Sequence, residues 1–218
     1  VENFKPGTLE KWGYGWKEVC KKYPKLIYAS ASGFGQTGPL KELPAYDMVV
    51  QGMGGLMSVT GQPNSEPTRV GTSIGDITAG LFTTIGINAA LYDRQKTGKG
   101  MYIDVSMLDC QIAILENAIA RYLSKNEIPK PMGSRHPSIA PFEAFKTKDS
   151  HIIIAAGNDK LFEKLCNLLN ISELAKDSKF SDNSSRAKNI DELKIILENK
   201  LSTENTDDWV KSMEKEKI

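Results

Sequence analysis

Ten residues constrain this chain more than any others: Gly71-Thr72-Ser73-Ile74-Gly75-Asp76-Ile77-Thr78-Ala79-Gly80. A loop carrying Pro63 and Pro67 runs up to them, and a long apolar-striped segment leaves them. Ile77, Leu81, Ile85, Ala89 and Tyr92 recur about four apart, the spacing of one face of an α-helix. Gly98 and Gly100 follow where a helix C-cap favours glycine. A single acid, Asp76, stands at the junction of loop and helix.

The totals exclude several classes. The chain has 218 residues, long enough to bury a real core. Lys plus Arg is 28 and Asp plus Glu is 27, so no net field selects nucleic acid or an anionic membrane. No apolar run reads as approaching the roughly 20 residues of a membrane span. Cys20, Cys110 and Cys166 are odd in number and far apart. They form neither a disulfide framework nor a zinc spacing, which fits a reducing, cytoplasmic compartment. Residue 1 is Val, and Trp209 to Glu214 reads as a helix cut off at Ile218, so the chain reads as an internal piece of a larger protein.

Strand-like and helical segments alternate along the rest. Thr8 is a candidate cap for a short helix carrying Leu9 and Trp12. A second short helix runs from Trp16 to Lys22 and stops before Pro24. Lys25 to Ser30 and Met101 to Ser106 read as strands. Tyr46 to Met57 has helical spacing but contains Gly52, Gly54 and Gly55, a cluster suited to close approach by another backbone or a ligand. A long amphipathic helix carries Leu108, Ile112, Leu115, Ile119 and Tyr122. The character changes at Pro129-Lys130-Pro131, where a domain boundary is expected. Beyond it, Phe142 to Thr147 and His151 to Ala156 read as a hairpin, Leu161 to Leu169 as a helix, and Asn189 with Glu192 as a capping box opening another.

Few groups could do chemistry. Gly33-Phe34-Gly35-Gln36-Thr37-Gly38 matches G-x-G-x-x-G, but Pro39 and an aperiodic stretch follow instead of the helix that a dinucleotide site needs. There is no G-x-S-x-G elbow, no metal-ligand cluster and no P-loop turn. His136 and His151 are the two histidines. Asp76 remains, and it has two compatible readings. Ser73-Ile74-Gly75-Asp76 is the S-x-x-D capping pattern, with Ser73 as N-cap. A carboxylate at a helix N-terminus is also favoured in its charged form, and an ionised carboxylate can attack an acyl carbon. Gly75 and Gly80 would leave room beside it for a bulky thioester. The physics permits the nucleophile without selecting it.

The chain resembles the family III CoA-transferases, the group of formyl-CoA transferase and the carnitine CoA-transferases. The resemblance rests on Glu2-Asn3-Phe4-Lys5-Pro6-Gly7, Ser32 to Pro39, Ala45-Tyr46-Asp47, Gly52 to Met57, Gly75 to Gly80, and Thr97-Gly98-Lys99-Gly100, in that order. It implies an α/β fold. Residues 1–128 would be part of a large Rossmann-like domain, and 129–218 a linker and truncated small α+β domain. The whole family fold is an interlaced, ring-shaped homodimer.

The resemblance also implies chemistry. Asp76 matches the catalytic aspartate, which forms an aspartyl anhydride and then an aspartyl-CoA thioester with no metal or prosthetic group. Asn3, Phe4, Lys11, Ala45 and Tyr46 match positions that line the coenzyme A site. Lys11 stands where the family often has Arg, keeping the charge without the bidentate fork. Pro44 replaces a lysine of formyl-CoA transferase. Gly133, Ser134 and His136 fall in the loop that covers the intermediate, with His136 as a loop anchor. The substrates implied are an acyl-CoA and a small carboxylic acid, with no nucleic-acid or membrane partner. Two alternatives stay open. One is an α-methylacyl-CoA racemase of the same family, although those carry His where this chain has Tyr46, and Tyr is a poor acid/base replacement. The other is a non-catalytic fragment or structural subunit.

Overall fold

A computed structural model describes residues 1–218. The chain divides into two compact units, Val1–Pro131 and Met132–Ile218.

The first unit is built on two parallel strands, β1 (Tyr28–Ser32) and β2 (Tyr102–Ser106), paired in register from Tyr28 with Tyr102 to Ser32 with Ser106. Glu2 adds an isolated parallel bridge to Ser30 on the other side of β1. Two short helices, α1 (Thr8–Lys11) and α2 (Trp16–Lys22), precede β1. Parallel strands need a crossover. Here it contains α3 (Asp47–Met53), α4 (Leu56–Val59) and the 24-residue α5 (Ile74–Thr97). After β2 come α6 (Met107–Ile114) and α7 (Glu116–Lys125). Val50, Ala79, Val105, Met107 and Cys110 form the buried core between α3, α5, β2 and α6.

Several expectations need correction. The face of α5 that carries Ile77, Leu81, Ile85, Ala89 and Tyr92 is exposed, and the buried positions are Gly75, Thr78, Ala79, Thr83 and Ala90. Small side chains let the helix lie close to the sheet. At Gly86 an added Cβ would stand 3.0 Å from Ile103 of β2. By length and composition α5 is also long and apolar enough to cross a membrane, contrary to the reading of the sequence. In this unit it packs against β1, β2, α3 and α6. The helix expected over Tyr46 to Met57 is two pieces, because Gly55 takes a left-handed φ of 87°. The long helix after β2 is likewise broken, at Glu116 with φ 32°. Thr8 does not cap α1; the N-cap position is Gly7, with no side-chain bond. The G-x-G-x-x-G loop opens no helix. The Gln36 backbone amide instead donates to both oxygens of Asp104 at 3.0 Å.

The second unit opens on the antiparallel hairpin β3 (Phe142–Lys146) and β4 (His151–Ala155). Its alternation puts Phe145, Ile152 and Ile154 inside. Helices α8 (Asp159–Leu168), α9 (Asn183–Lys188), α10 (Ile190–Leu201) and α11 (Thr206–Glu216) complete the unit, with a 3-10 turn at Ser172–Lys176. Leu165, Leu193, Leu197, Leu201, Trp209 and Met213 fill the core against the hairpin. The capping box expected at Asn189 and Glu192 does not form. Asn189 donates to the carbonyls of Lys179 and Ser185, and Glu192 pairs with Lys179 instead. The anchor of the unit is Arg186, fully buried, which donates to the carbonyls of Ala140, Phe180 and Gly157 and to Asp159.

Candidate active site

Asp76 is the third residue of α5 and is exposed. The S-x-x-D pattern suggested that Ser73 caps this helix, but Ser73 makes no side-chain capping bond. The cap comes from another helix. Oδ1 of Asp47, at the start of α3, accepts the Gly75 amide at 2.7 Å. A free N–H of the first turn is thereby satisfied by a carboxylate, which the helix dipole also favours there. Asp76 is left outside that contact and borders a cavity of about 590 Å³.

The two glycines expected to give Asp76 room do different things. Gly75 has no room. An added Cβ would meet Val50 Cγ2 at 2.7 Å and Asp47 Oδ1 at 3.0 Å, so this glycine is where α3 comes down on α5. Gly80, one turn beyond Asp76, has nothing within 4 Å of such a Cβ. The cavity follows this open flank, past Asp76, Gly80, Thr83, Thr84 and Ile87, with Asn3 and Ala31 opposite.

The other expected site residues fall in distinct places. Asn3 shares the cavity with Asp76. Phe4 and Lys11 do not line it. Phe4 packs edge-on against Trp12 at 5.3 Å between ring centroids, and Lys11 ends α1. Ala45 lies in tight contact with Gly33. Tyr46 holds the N-cap position of α3 and is largely exposed, one residue before the Asp47 that holds Gly75. Gly133, Ser134 and His136 belong to the second unit. Gly133 takes a left-handed φ of 64°, and the Ala144 amide donates to Ser134 Oγ. The amides of Ser138 and Ile139 both donate to His136 Nδ1, and the His136 ring stacks on Phe142. These contacts tie the backbone of 136–139 to one imidazole.

Sequence reasoning missed Asp47 and Gln51. Their signal was the i, i+4 spacing of an acid and an amide at a helix start. Rival nucleophiles are weak. Burial, followed by the charge of Asp109, pushes the Cys110 thiol up. Burial also pushes Cys166 up to about 12. The cavity carries two carboxylates, Asp76, exposed at the start of a long helix, and the half-buried Glu2, whose Oε2 accepts the Phe4 amide.

The chain is similar to several proteins of named activity. It is 46% identical over 211 residues to an acetyl-CoA:oxalate CoA-transferase of Acetobacter aceti, covering 96% of this chain and 54% of that protein. It is 40% identical over 210 residues to the human succinyl-CoA:glutarate CoA-transferase, covering 96% and 48%. A crystal structure of a CAIB/BAIF family protein from Brucella suis superposes with a TM-score of 0.85 at 43% identity, over 98% of this chain and 57% of that one. The chain spans about half the length of the curated relatives it matches. The match to the family described as CoA-transferase family III runs over residues 1–218, and the chain belongs to that family.

Proposed function

We propose that the protein carrying this chain transfers coenzyme A from an acyl-CoA to a carboxylic acid, with Asp76 as the nucleophile. The observation that carries this reading is the position of Asp76. It is exposed on a cavity, at the start of α5, and relieved of capping by Asp47. The similar proteins named as acetyl-CoA:oxalate and succinyl-CoA:glutarate CoA-transferases support the reaction class.

The reaction runs in four displacements. A carboxylate oxygen of Asp76 attacks the thioester carbon, the C–S bond breaks, and the CoA thiolate leaves with the electron pair. The thiolate then attacks the Asp76 carbonyl of the mixed anhydride, forming aspartyl-CoA and releasing the first acid. The acceptor carboxylate attacks that thioester and expels the thiolate again. The thiolate finally attacks the acceptor's acyl carbon, giving the new acyl-CoA and free Asp76. No net proton is consumed.

Asn3, Phe4, Lys11, Ala45 and Tyr46 are assigned to coenzyme A, and Gly133, Ser134 and His136 to a loop over the intermediate. Residues 1–128 are assigned to a Rossmann-like large domain, supported by the parallel β1–β2 pair and its helical crossover, and 129–218 to a linker and small domain. The homodimer is supported by the large apolar side chains left exposed along α5, Ile77, Leu81, Ile85 and Tyr92, which a second copy would cover.

The test is to incubate the intact protein with an acyl-CoA and trap with hydroxylamine. The expected result is a hydroxamate on Asp76, absent in Asp76→Asn, with CoA transfer lost in the same variant. Transfer at the normal rate in Asp76→Asn overturns the assignment.

A further inference from the structure

Two side chains one turn apart on α3 hold both ends of the segment that presents Asp76. Asp47 Oδ1 accepts the Gly75 amide at 2.7 Å, and Asp47 Oδ2 accepts from Gln51 Nε2 at 2.8 Å. Gln51 Oε1 in turn accepts the Val70 amide at 2.9 Å. Gln51 is fully buried. Its Nε2 also faces the Thr72 carbonyl at 3.5 Å, a distance too long for a strong bond. The loop between Val70 and Gly75 is thus clipped at both ends to one rigid element.

The clip has a polarity. Both of its ends are backbone N–H donors. Between two donors, a pair of linked side chains must supply an acceptor at each end and one donor in the middle. Asp next to Gln meets that requirement, since a carboxylate only accepts and an amide does both. Both Asp47 oxygens are engaged, so Asp47 is not a second nucleophile. We propose that Asp47 and Gln51 are positioning residues that set where the Asp76 carboxylate stands, an inference that rests on Asp76 being the nucleophile. A shift of about 1 Å in a reacting group costs on the order of 100-fold in rate.

The polarity supplies its own test. Asp47→Asn sets an amide NH2 against the NH2 of Gln51 or, if turned over, against the Gly75 N–H. Gln51→Glu sets two carboxylates together. The exchange of the two, Asp47→Asn with Gln51→Glu, restores every strong bond. The amide now at position 47 would accept from Gly75 and donate to the carboxylate now at position 51. That carboxylate would accept from Val70, with net charge unchanged.

The measurement is the single-turnover rate of hydroxylamine-trapped Asp76, together with kcat, KM and thermal unfolding, in the intact wild-type protein, both single variants and the double variant. Each single variant is expected to slow by about 100-fold in kcat with little change in KM, and the double to recover to within about threefold. If a single variant does not fold, recovery of folding and rate by the double still carries the inference. Single variants that lose stability but keep the wild-type rate overturn it, as does a folded double variant as slow as the singles. Asp76→Asn is assayed alongside: wild-type transfer there removes the nucleophile and the positioning role together, whereas its inactivity with fast Asp47→Asn removes the positioning role alone.

Discussion

Val50 Cγ2 stands 2.7 Å from the point where a side chain at Gly75 would begin. That contact sets how closely α3 approaches α5. Gly75→Ala is therefore expected to overpack the junction and to lower stability by about 1–3 kcal/mol. Gly80→Ala meets nothing within 4 Å, and should raise helix stability by up to about 1 kcal/mol. Thermal unfolding of the two variants separates these outcomes.

Arg186 is the least replaceable side chain of the second unit. It is fully buried, serves three backbone carbonyls, and lies over the Phe162 ring at 4.6 Å. Arg186→Met leaves those carbonyls without donors, at about 1–3 kcal/mol for each one that stays buried. Asp159→Asn keeps an acceptor for Arg186 but removes the carboxylate that pairs with its buried charge, and should cost less than Arg186→Met, on the order of 1–3 kcal/mol in all. Chemical denaturation compares the two.

Acid should loosen the junction between the β3–β4 turn and α11. The amide and hydroxyl of Thr206 both donate to Asp149, and the amide bond leads in holding its carboxyl below the ordinary 3.8. A carboxyl depressed in the folded state contributes stability above its unfolded value, and that contribution is lost as pH falls through the folded one. Asp149→Ala is thus expected to be less stable than wild type at neutral pH, and the difference should shrink steadily below pH 3.8. Unfolding curves taken across that range test the sign.

The three thiols should react unequally. Cys166 and Cys110 are buried, and Cys166 is pushed up to about 12. At pH 8 a thiol of that kind is ionised to only about one part in 10,000. Cys20 is partly exposed on α2. Iodoacetamide applied to the folded protein should label Cys20 first, with Cys110 and Cys166 reached only on unfolding. Peptide mapping by mass spectrometry reads the order.

Local signals in the sequence carried far, and distant contacts did not. The hairpin was legible because alternation is written into each strand, and Phe145, Ile152 and Ile154 are indeed buried. The end of α5 was legible because Gly98 takes the left-handed conformation that a C-cap requires. Its start was placed correctly, with Ser73 at the N-cap position and Asp76 third in the helix, but the capping group was misread, because the carboxylate that accepts the Gly75 amide belongs to Asp47, 28 residues before that glycine. Its buried face was not legible, because apolar periodicity shows where large side chains fall, and here the helix packs through Gly, Ala and Thr. The breaks at Gly55 and Glu116 had unequal signals. Glycine invites a left-handed turn, whereas nothing in the apolar stripe through Leu115 announces one at a glutamate.

The cap supplied from α3 makes the two acids of this junction genetically separable. A catalytic residue that also nucleated its own helix could not be replaced without melting the scaffold, and every inactive variant would be ambiguous. Here the helix keeps its starting contact whatever occupies position 76. Substitutions at position 76 therefore test the proposed chemistry with the cap in place, whereas substitutions at position 47 alter the cap itself. Position 76 is for the same reason open to redesign, since a different side chain could be installed without rebuilding the helix that presents it.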